Sequence, residues 1–130
     1  MIILDTHIWI WWVNESPRLT EKQKKIINEN QSSGLGISII SCWEVAKLVE
    51  KKRLVLSIPV EEWLEQASTY PGAKVLELSI PILVESTQLK GFHNDPADQI
   101  IVATARVNNS KLLTADRKIL KYSGVKTFSQ

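Results

Sequence analysis

The chain alternates between short apolar runs and helix-forming stretches along its whole length, and this alternation restricts the fold more than any other feature. Runs rich in Ile, Leu and Val are typical of strands buried on both faces of a sheet. We predict strands at Ile2–Leu4, Leu35–Ile40, Val75–Leu78, Lys111–Thr114 and Val125–Phe128. Helices are predicted between them at Thr6–Trp12, Thr20–Asn30, Cys42–Lys51, Val60–Thr69, Pro81–Leu89, Ala97–Asn108 and Asp116–Lys121. This order favours an α/β fold with three layers, α/β/α, around a mostly parallel sheet of four to five strands.

Several polar residues are positioned to begin these helices. Thr20 is followed three residues later by Gln23, which is the pattern of a capping box. Ser41 is predicted to cap the helix that starts at Cys42. Pro96 suits the first position of a long helix, and Asp95 before it suits the N-cap.

The composition is that of one folded domain, which we assign to residues 1–130, with 44% hydrophobic and 23% charged residues. The lone cysteine, Cys42, excludes an intramolecular disulfide and a cysteine cluster for zinc. The longest charge-free stretch, Asn30–Trp43, has 14 residues and is too short to cross a membrane. The N-terminus also lacks the pattern of a signal peptide. We therefore expect a cytoplasmic protein without a membrane partner.

Four acidic residues stand where predicted strands end or where the following helices begin. Asp5 ends the first strand, and Asp116 follows the strand at Lys111–Thr114. Glu44 and Asp98 lie in the first turns of two predicted helices. Parallel strands bring their carboxyl ends to one edge of a sheet, where ligands bind in open α/β folds. We therefore expect the four carboxylates to lie close together.

Crowded carboxylates repel one another and raise one another's pKa values unless a cation neutralises them. Carboxylate oxygens select Mg²⁺ or Mn²⁺ over zinc, and such an ion activates water and stabilises a phosphate oxyanion. The residues thus predict metal-dependent phosphoryl chemistry. The formal net charge of +2 reflects 16 basic and 14 acidic residues. With four acids committed to metal, 16 basic residues face 10 acids, and the resulting +6 suits a phosphodiester substrate.

Each acid also has an ordinary structural interpretation. Glu44 and Asp98 are favourable in the first turn of a helix, and Asp116 is a suitable cap for the short last helix. Asp95 is better explained as a cap than as a ligand. Asp5 is hardest to explain in this way, because it lies between apolar segments where a lone buried carboxylate is costly. Each acid by itself leaves both interpretations open, but four acids at equivalent places are much harder to explain as coincidence than any one of them.

At these positions the sequence resembles the PIN-domain ribonucleases, and in particular the VapC toxins of bacterial and archaeal toxin–antitoxin pairs. The resemblance covers nearly the whole chain and implies a PIN-like fold. The motifs that carry it are Ile3–His7, Ile40–Val45, His93–Asp98, Ile100–Ala105 and Leu113–Asp116.

The resemblance implies that a pocket of four acids binds one or two Mg²⁺ or Mn²⁺ ions and hydrolyses single-stranded RNA. It also implies a homodimer and an antitoxin that inserts a segment into the active-site groove. The implied catalytic and metal-binding residues are Asp5, Glu44, Asp98 and Asp116. The implied supporting residues, which orient carboxylates or waters, are Thr6, Ser41, Asp95 and Thr114. Gln99 stands where many relatives have arginine, so it brings no charge to a phosphate or partner.

Five tryptophans are numerous for this length. On a helix, Trp9 and Trp12 share a face while Trp11 points elsewhere, so one core does not easily accept all three. The favoured interpretation is a core plus a subunit or antitoxin interface. Stacking on RNA bases is the alternative.

Other polar residues adjoin the candidate acids. Arg117 and Lys118 follow Asp116 directly and are the best candidates for contacts with an RNA backbone. His7 and His93 have no second histidine at metal-ligand spacing, so we predict hydrogen-bonding or helix-start roles for them.

Three other classes of protein compete with a nuclease. A phosphoacceptor receiver domain would carry an acidic pair after the first strand, but Thr6 and His7 follow Asp5. A haloacid-dehalogenase-type phosphatase would need a second aspartate at position 7, which is His7. A catalytically inert PIN-like module that binds RNA or a partner is the third alternative, and the intact set of acids argues against it.

Overall fold

A computed structural model describes residues 1–129 and shows a parallel sheet with helices on both faces. The strands are β1 (Ile2–Leu4), β2 (Leu35–Ser38), β3 (Ala73–Leu76) and β4 (Leu112–Leu113), in the order β3-β2-β1-β4. The helices are α1 (Thr6–Val13), α2 (Glu21–Asn30), α3 (Ile39–Glu50), α4 (Val60–Ser68), α5 (Ile80–Ser86), α6 (Pro96–Val107) and α7 (Arg117–Leu120). The predicted α/β class is confirmed, with four strands that are all parallel. The predicted domain extends to Gln130, which lies outside the described residues.

Strand β1 lies at the centre of the sheet, and its register decides which residues meet at the carboxyl edge. Leu4 pairs with Leu113 of β4, and Ile3 pairs with Gly36 of β2. The Asp5 N–H then donates to the Leu113 carbonyl at 2.9 Å. Asp5, the residues after Leu113 and the end of β2 therefore lie along one edge of the sheet.

The core is divided between the two faces of the sheet, as the alternation of side chains along β1 requires. Leu4 packs with Trp9, Ile27 and Trp63, which brings α1, α2 and α4 onto one face. Ile3 packs in a second cluster with residues of α6 and α7, including Ile101, Val102 and Ile119. These two clusters confirm the predicted three-layer arrangement.

The boundary between β2 and α3 differs from the prediction. Ile39 and Ile40, predicted as the end of the strand, form the first turn of α3. Ser38 is the N-cap, and its hydroxyl accepts a hydrogen bond from the Ile40 N–H at 3.2 Å. The prediction that Ser41 caps this helix is therefore wrong. Ser41 lies inside α3 and is fully buried.

Three other elements differ by more than one residue from their predicted bounds, and the rest differ by at most one residue at either end. β3 lies two residues earlier than predicted, because the main chain from Gly72 already pairs with Leu35. α5 begins at Ile80, where Ser79 caps the Ile82 N–H, and ends at Ser86. Val125–Phe128 is not a strand; its pairing with the sheet is an isolated bridge between Thr127 and Leu112.

The predicted capping box of α2 is confirmed, since Thr20 and Gln23 each bond the other's backbone N–H. Asp95 caps α6 by accepting from the Asp98 N–H at 3.1 Å. Within residues 1–129, no helix is both long and apolar enough to cross a membrane.

Candidate active site

Asp5 is the centre of the polar cluster at the carboxyl edge of the sheet. Its side chain is only 6% exposed, and both oxygens accept hydrogen bonds. Oδ1 accepts from the Thr6 N–H at 2.9 Å, as expected for the N-cap of α1. Oδ2 accepts from the Thr114 hydroxyl at 2.6 Å, which ties the end of β1 to the end of β4. This buried carboxylate is therefore fixed in orientation by the start of α1 and by the residue that follows β4.

The first turn of α1 also positions Glu44 on α3. The Thr6 hydroxyl donates a short hydrogen bond to Glu44 Oε1 and lies 2.8 Å from Ser41 Oγ. A hydroxyl has one proton and two lone pairs, so Thr6 can donate to the carboxylate and accept from Ser41 at the same time. Because α3 starts at Ile39, Ser41 and Glu44 are separated by almost one helical turn and face the same neighbour. The chain Ser41–Thr6–Glu44 thus holds the second acid beside the first.

Asp116 follows β4 and is held by the same threonine that holds Asp5. The Thr114 hydroxyl accepts from the Asp116 N–H at 3.0 Å while it donates to Asp5. The Asp116 side chain accepts from the Lys118 N–H at 2.8 Å and caps α7. The structural interpretation of Asp116 as a cap is therefore confirmed. Its position beside Asp5 also keeps it at the same edge.

Asp98 lies in the first turn of α6, and its side chain is 16% exposed. His93 Nε2 lies 3.2 Å from Asp98 Oδ2, but the pair lacks hydrogen-bond geometry, and within residues 1–129 Nε2 is buried without a hydrogen-bond partner. On the opposite side of the ring, Nδ1 accepts from the Asp95 N–H at 3.3 Å. His93 therefore braces the loop before α6 against Asp98.

The acids interact through their charges. Burial, and then the charges of four other carboxylates, raise the pKa of Asp98 to about 8; those carboxylates are Asp5, Asp95, Asp116 and Glu44. Burial and then the charges of Asp5 and Asp95 raise the pKa of Glu44 to about 7, although the hydrogen bond from Thr6 opposes the shift. Burial also raises the pKa of Asp5, although hydrogen bonds from Thr114 and Thr6 oppose the shift. The sheet edge therefore concentrates negative charge in a partly desolvated place.

The cluster suits a hard divalent cation although it does not form a preformed metal cage. Within residues 1–129, no three Asp, Glu, His or Cys side chains converge closely enough to form a ready-made metal site. Mg²⁺ retains several waters and commonly binds proteins through one or two carboxylates. An ion at this edge would also relieve the repulsion that raises the pKa of Asp98. The donor chemistry and the charge of the residues thus fit Mg²⁺ or Mn²⁺.

The four predicted acids are brought to one edge, together with Asp95, whose charge reaches both Glu44 and Asp98. The sequence interpretation missed the contact of His93 with Asp98 and the use of Gln99. The Gln99 amide donates to the His93 carbonyl at 2.9 Å, so this residue supports the loop although it carries no charge. The polar segment His93–Asp95 before Pro96 is the sequence feature that could have indicated these contacts.

The predicted basic residues lie at the rim of this edge. Arg117 and Lys118 are exposed in α7, and Lys118 lines a groove that also includes His93. His7 is exposed at the start of α1, where its ring lies 6.0 Å from that of Trp11. The contacts of Arg117 and Lys118 with RNA stay a prediction.

Tryptophan burial separates the five residues clearly. Trp9 and Trp63 are buried and pack edge to face, with ring centroids 5.3 Å apart. Trp11 and Trp12 are half-buried, and Arg18 covers Trp11. Trp43 is 54% exposed. The core role is therefore confirmed for two of the five.

The fold has counterparts among known proteins. Residues 2–125 match the PIN domain family. The chain belongs to this family. More narrowly, it is 32% identical over 119 residues to Ribonuclease VapC22 of Mycobacterium tuberculosis, a match that covers 91% of this chain and 88% of that protein.

Solved structures show the same fold at lower identity. VapBC2 from Rickettsia felis, crystallised with a DNA fragment from its promoter, has a TM-score of 0.73 at 18% identity and covers 100% of this chain and 99% of its own. A toxin–antitoxin complex from Klebsiella pneumoniae has a TM-score of 0.69 at 20% identity, with coverage of 99% and 97%. At these identities the likeness establishes the fold.

Proposed function

We propose that the protein is the toxin of a toxin–antitoxin pair and a ribonuclease that uses Mg²⁺ or Mn²⁺ to hydrolyse phosphodiester bonds of single-stranded RNA. The observation that carries the proposal is that Asp5, Glu44, Asp98 and Asp116 lie at one sheet edge of a PIN domain, where their charges interact. The 32% identity to Ribonuclease VapC22 supports the nuclease activity. A cytoplasmic location is part of this proposal.

The position of each side chain suggests its role in metal binding and catalysis. Asp5, Asp98 and Glu44 would hold the metal, with Asp116 as a further ligand or an outer support. A divalent ion bound there would lower the pKa of an attacking water and neutralise charge on the scissile phosphate. Thr6 and Thr114 keep Glu44 and Asp5 in fixed orientations through their hydroxyls. Ser41 supports Thr6, and Asp95 adds negative charge at the same edge.

Two alternative functions make different predictions from the ribonuclease. A receiver domain is disfavoured because its sheet order is 2-1-3-4-5, whereas this sheet has the order β3-β2-β1-β4. An inert PIN-like module predicts neither metal binding nor cleavage, although it would bind RNA or a partner.

An antitoxin and a second copy of the chain are the proposed partners. The Klebsiella pneumoniae neighbour is a toxin–antitoxin complex, which supports an antitoxin as a partner. We propose that this antitoxin inserts a segment into the groove beside the acids. For the homodimer, the support is an exposed apolar face of α5 formed by Ile80, Leu83 and Val84, which are 78%, 43% and 48% exposed. These residues have the spacing of one helix face. Sedimentation of the wild type against Leu83→Lys tests the dimer: the same mass for both would contradict this surface.

The direct test is cleavage of labelled single-stranded RNA by purified protein with Mg²⁺ or Mn²⁺, with and without a chelator. We expect cleavage that the chelator abolishes and that Asp98→Ala lacks. Glu62→Gln, an exposed acid of α4, is the matched control and should cleave like the wild type. Chelator-resistant cleavage that is equal in the wild type and Asp98→Ala would reveal a contaminant and contradict the proposal.

A further inference from the structure

Trp43 differs from the other tryptophans because it stands on the surface directly beside the acid cluster. It immediately precedes Glu44 on α3, and its side chain is 54% exposed. The groove that it lines also includes Glu44, Asp95 and Pro96, so the groove opens onto the edge where the acids meet. A large aromatic surface is thus left open to solvent next to the proposed catalytic centre.

The residues around this ring are basic. Trp43, Lys47 and Lys51 recur every fourth residue, which places them along one stripe of α3 and its C-terminal cap. Lys47 Nζ lies 5.8 Å from the centre of the Trp43 ring. Arg53 lines the same groove, and its backbone N–H is fixed by the Leu48 carbonyl at 2.9 Å. Positive charge therefore extends away from the acids along the groove.

Two of these cations are not neutralised by the protein. Lys47 pairs with Glu50 at 3.0 Å on the surface. For Lys51 and Arg53, by contrast, no carboxylate of residues 1–129 forms an ion pair. An anion bound in the groove would meet two free charges and an exposed aromatic face.

We infer that this groove binds the RNA strand next to the scissile phosphate, with one base stacked on Trp43 and the backbone against Lys47, Lys51 and Arg53. The inference rests on the proposed ribonuclease function and specifies where its substrate lies. Surfaces for single-stranded nucleic acid combine aromatic platforms with cationic grooves. The two cations without an ion-pair partner in the described part of the chain, Lys51 and Arg53, favour the phosphates of an RNA strand as the occupant.

Binding of single-stranded RNA to the full chain tests the inference without turnover. Asp98→Asn serves as the parent protein, so that the RNA stays intact. The probes are labelled oligonucleotides of one sequence in which each nucleotide in turn lacks its base. We expect one abasic position to weaken binding by roughly 5- to 100-fold, as the loss of one stacked base does.

The same series on Asp98→Asn with Trp43→Ala should show no penalty at that position, and Trp43→Phe should retain most of it. Lys51→Gln should weaken all oligonucleotides and reduce the salt dependence of binding, whereas the exposed Lys22→Gln of α2 should not. Because Trp43 is exposed and alanine favours helices, the variant should fold, and equal melting temperatures check this.

Binding that does not change in Trp43→Ala, or an abasic penalty that persists in it, would overturn the inference. In that case metal-dependent cleavage by the wild type would still stand, and the groove would be a surface for a protein such as the antitoxin. Loss of binding in Trp43→Ala together with no cleavage by the wild type would support the groove and contradict the nuclease. The two failures are therefore distinguishable.

Discussion

The carboxyl edge of the sheet and the core packed against α1 are formed by neighbouring residues of the chain, yet burial has opposite effects on stability in the two regions. Trp9 is fully buried in an apolar cluster, where burial stabilises the fold. Four residues earlier, Asp5 is nearly as buried, and burial raises its pKa because the charged form is disfavoured. The core therefore contributes stability, whereas the edge costs stability as long as its charges are uncompensated. That contrast is typical of functional sites.

The largest effect should come from removing charge at the edge without changing its shape. Asp98→Asn should reduce RNA cleavage by roughly 10³-fold or more, because a metal ligand contributes several kcal/mol to the transition state. The metal-free melting temperature should not fall, since a partly buried charge is removed. Cleavage assays and thermal melts check both statements. A variant that cleaves normally would remove Asp98 from the site.

A substitution in the core should have the opposite effect: it should lower stability and leave activity unchanged. Trp9→Ala should lower the free energy of unfolding by about 3–5 kcal/mol, since it leaves a cavity beside Trp63. Cleavage per folded molecule should stay close to that of the wild type. Urea denaturation and an assay corrected for the folded fraction provide the comparison. A small change in stability with a large loss of specific activity would reverse the contrast between the two regions.

Thr6 lies in α1 between Asp5 of the carboxyl edge and Trp9 of the core. Thr6→Val keeps the buried volume but removes the hydrogen bond to Glu44 and the contact with Ser41. We expect cleavage to fall roughly 10- to 100-fold, as for the loss of groups that orient metal ligands. Thr6→Ser is the matched control and should retain most activity. Equal activity in Thr6→Val and the wild type would show that Glu44 needs no support from α1.

The pH dependence of stability should differ in sign from that of most paired acids. The pKa of Asp98 rises from 3.8 to about 8 on folding, so the folded state binds more protons than the unfolded state between these pH values. Metal-free stability should therefore be greatest near pH 4 and fall as the pH rises to about 8. Denaturation of the chelator-treated protein across this range measures it. Asp98→Asn should show a flatter profile, and a wild-type stability that rises with pH would contradict the account.

The smallest effect should come from Thr20, an exposed N-cap that belongs to neither region. Thr20→Ala removes the side-chain acceptor for the Gln23 N–H and should cost about 1 kcal/mol. Cleavage should not change. Thermal melting together with the RNA assay checks it, and a loss of activity in this variant would show that the edge is sensitive to general destabilisation.

The edge was predictable because short buried strands that end in an acid leave few alternatives. Asp5 follows an apolar run and Asp116 follows another, so the parallel topology alone brings them together. The capping box of Thr20 and Gln23 was equally local. At these positions the local sequence pattern predicts the same structure that the tertiary fold adopts.

Other features depended on contacts that the sequence does not display. Ile39 and Ile40 are apolar in either a strand or a buried helical turn, so periodicity did not separate β2 from α3. Consequently Ser41 was assigned to a cap and not to the interior of α3. The early start of β3 at Ala73 depends on pairing with β2 and not on strand propensity. The contact of His93 with Asp98 arises from the loop before α6 and has no regular spacing.

The most direct test of the account is the melting temperature of the chelator-treated protein at pH 8 with and without Mn²⁺, in the wild type and in Asp98→Asn. We predict that Mn²⁺ raises the melting temperature of the wild type by several degrees, because it binds the folded state alone. Asp98→Asn should melt at least as high as the metal-free wild type and respond little to Mn²⁺. A wild type that does not respond, or a variant that responds equally, would contradict a metal site at the carboxyl edge.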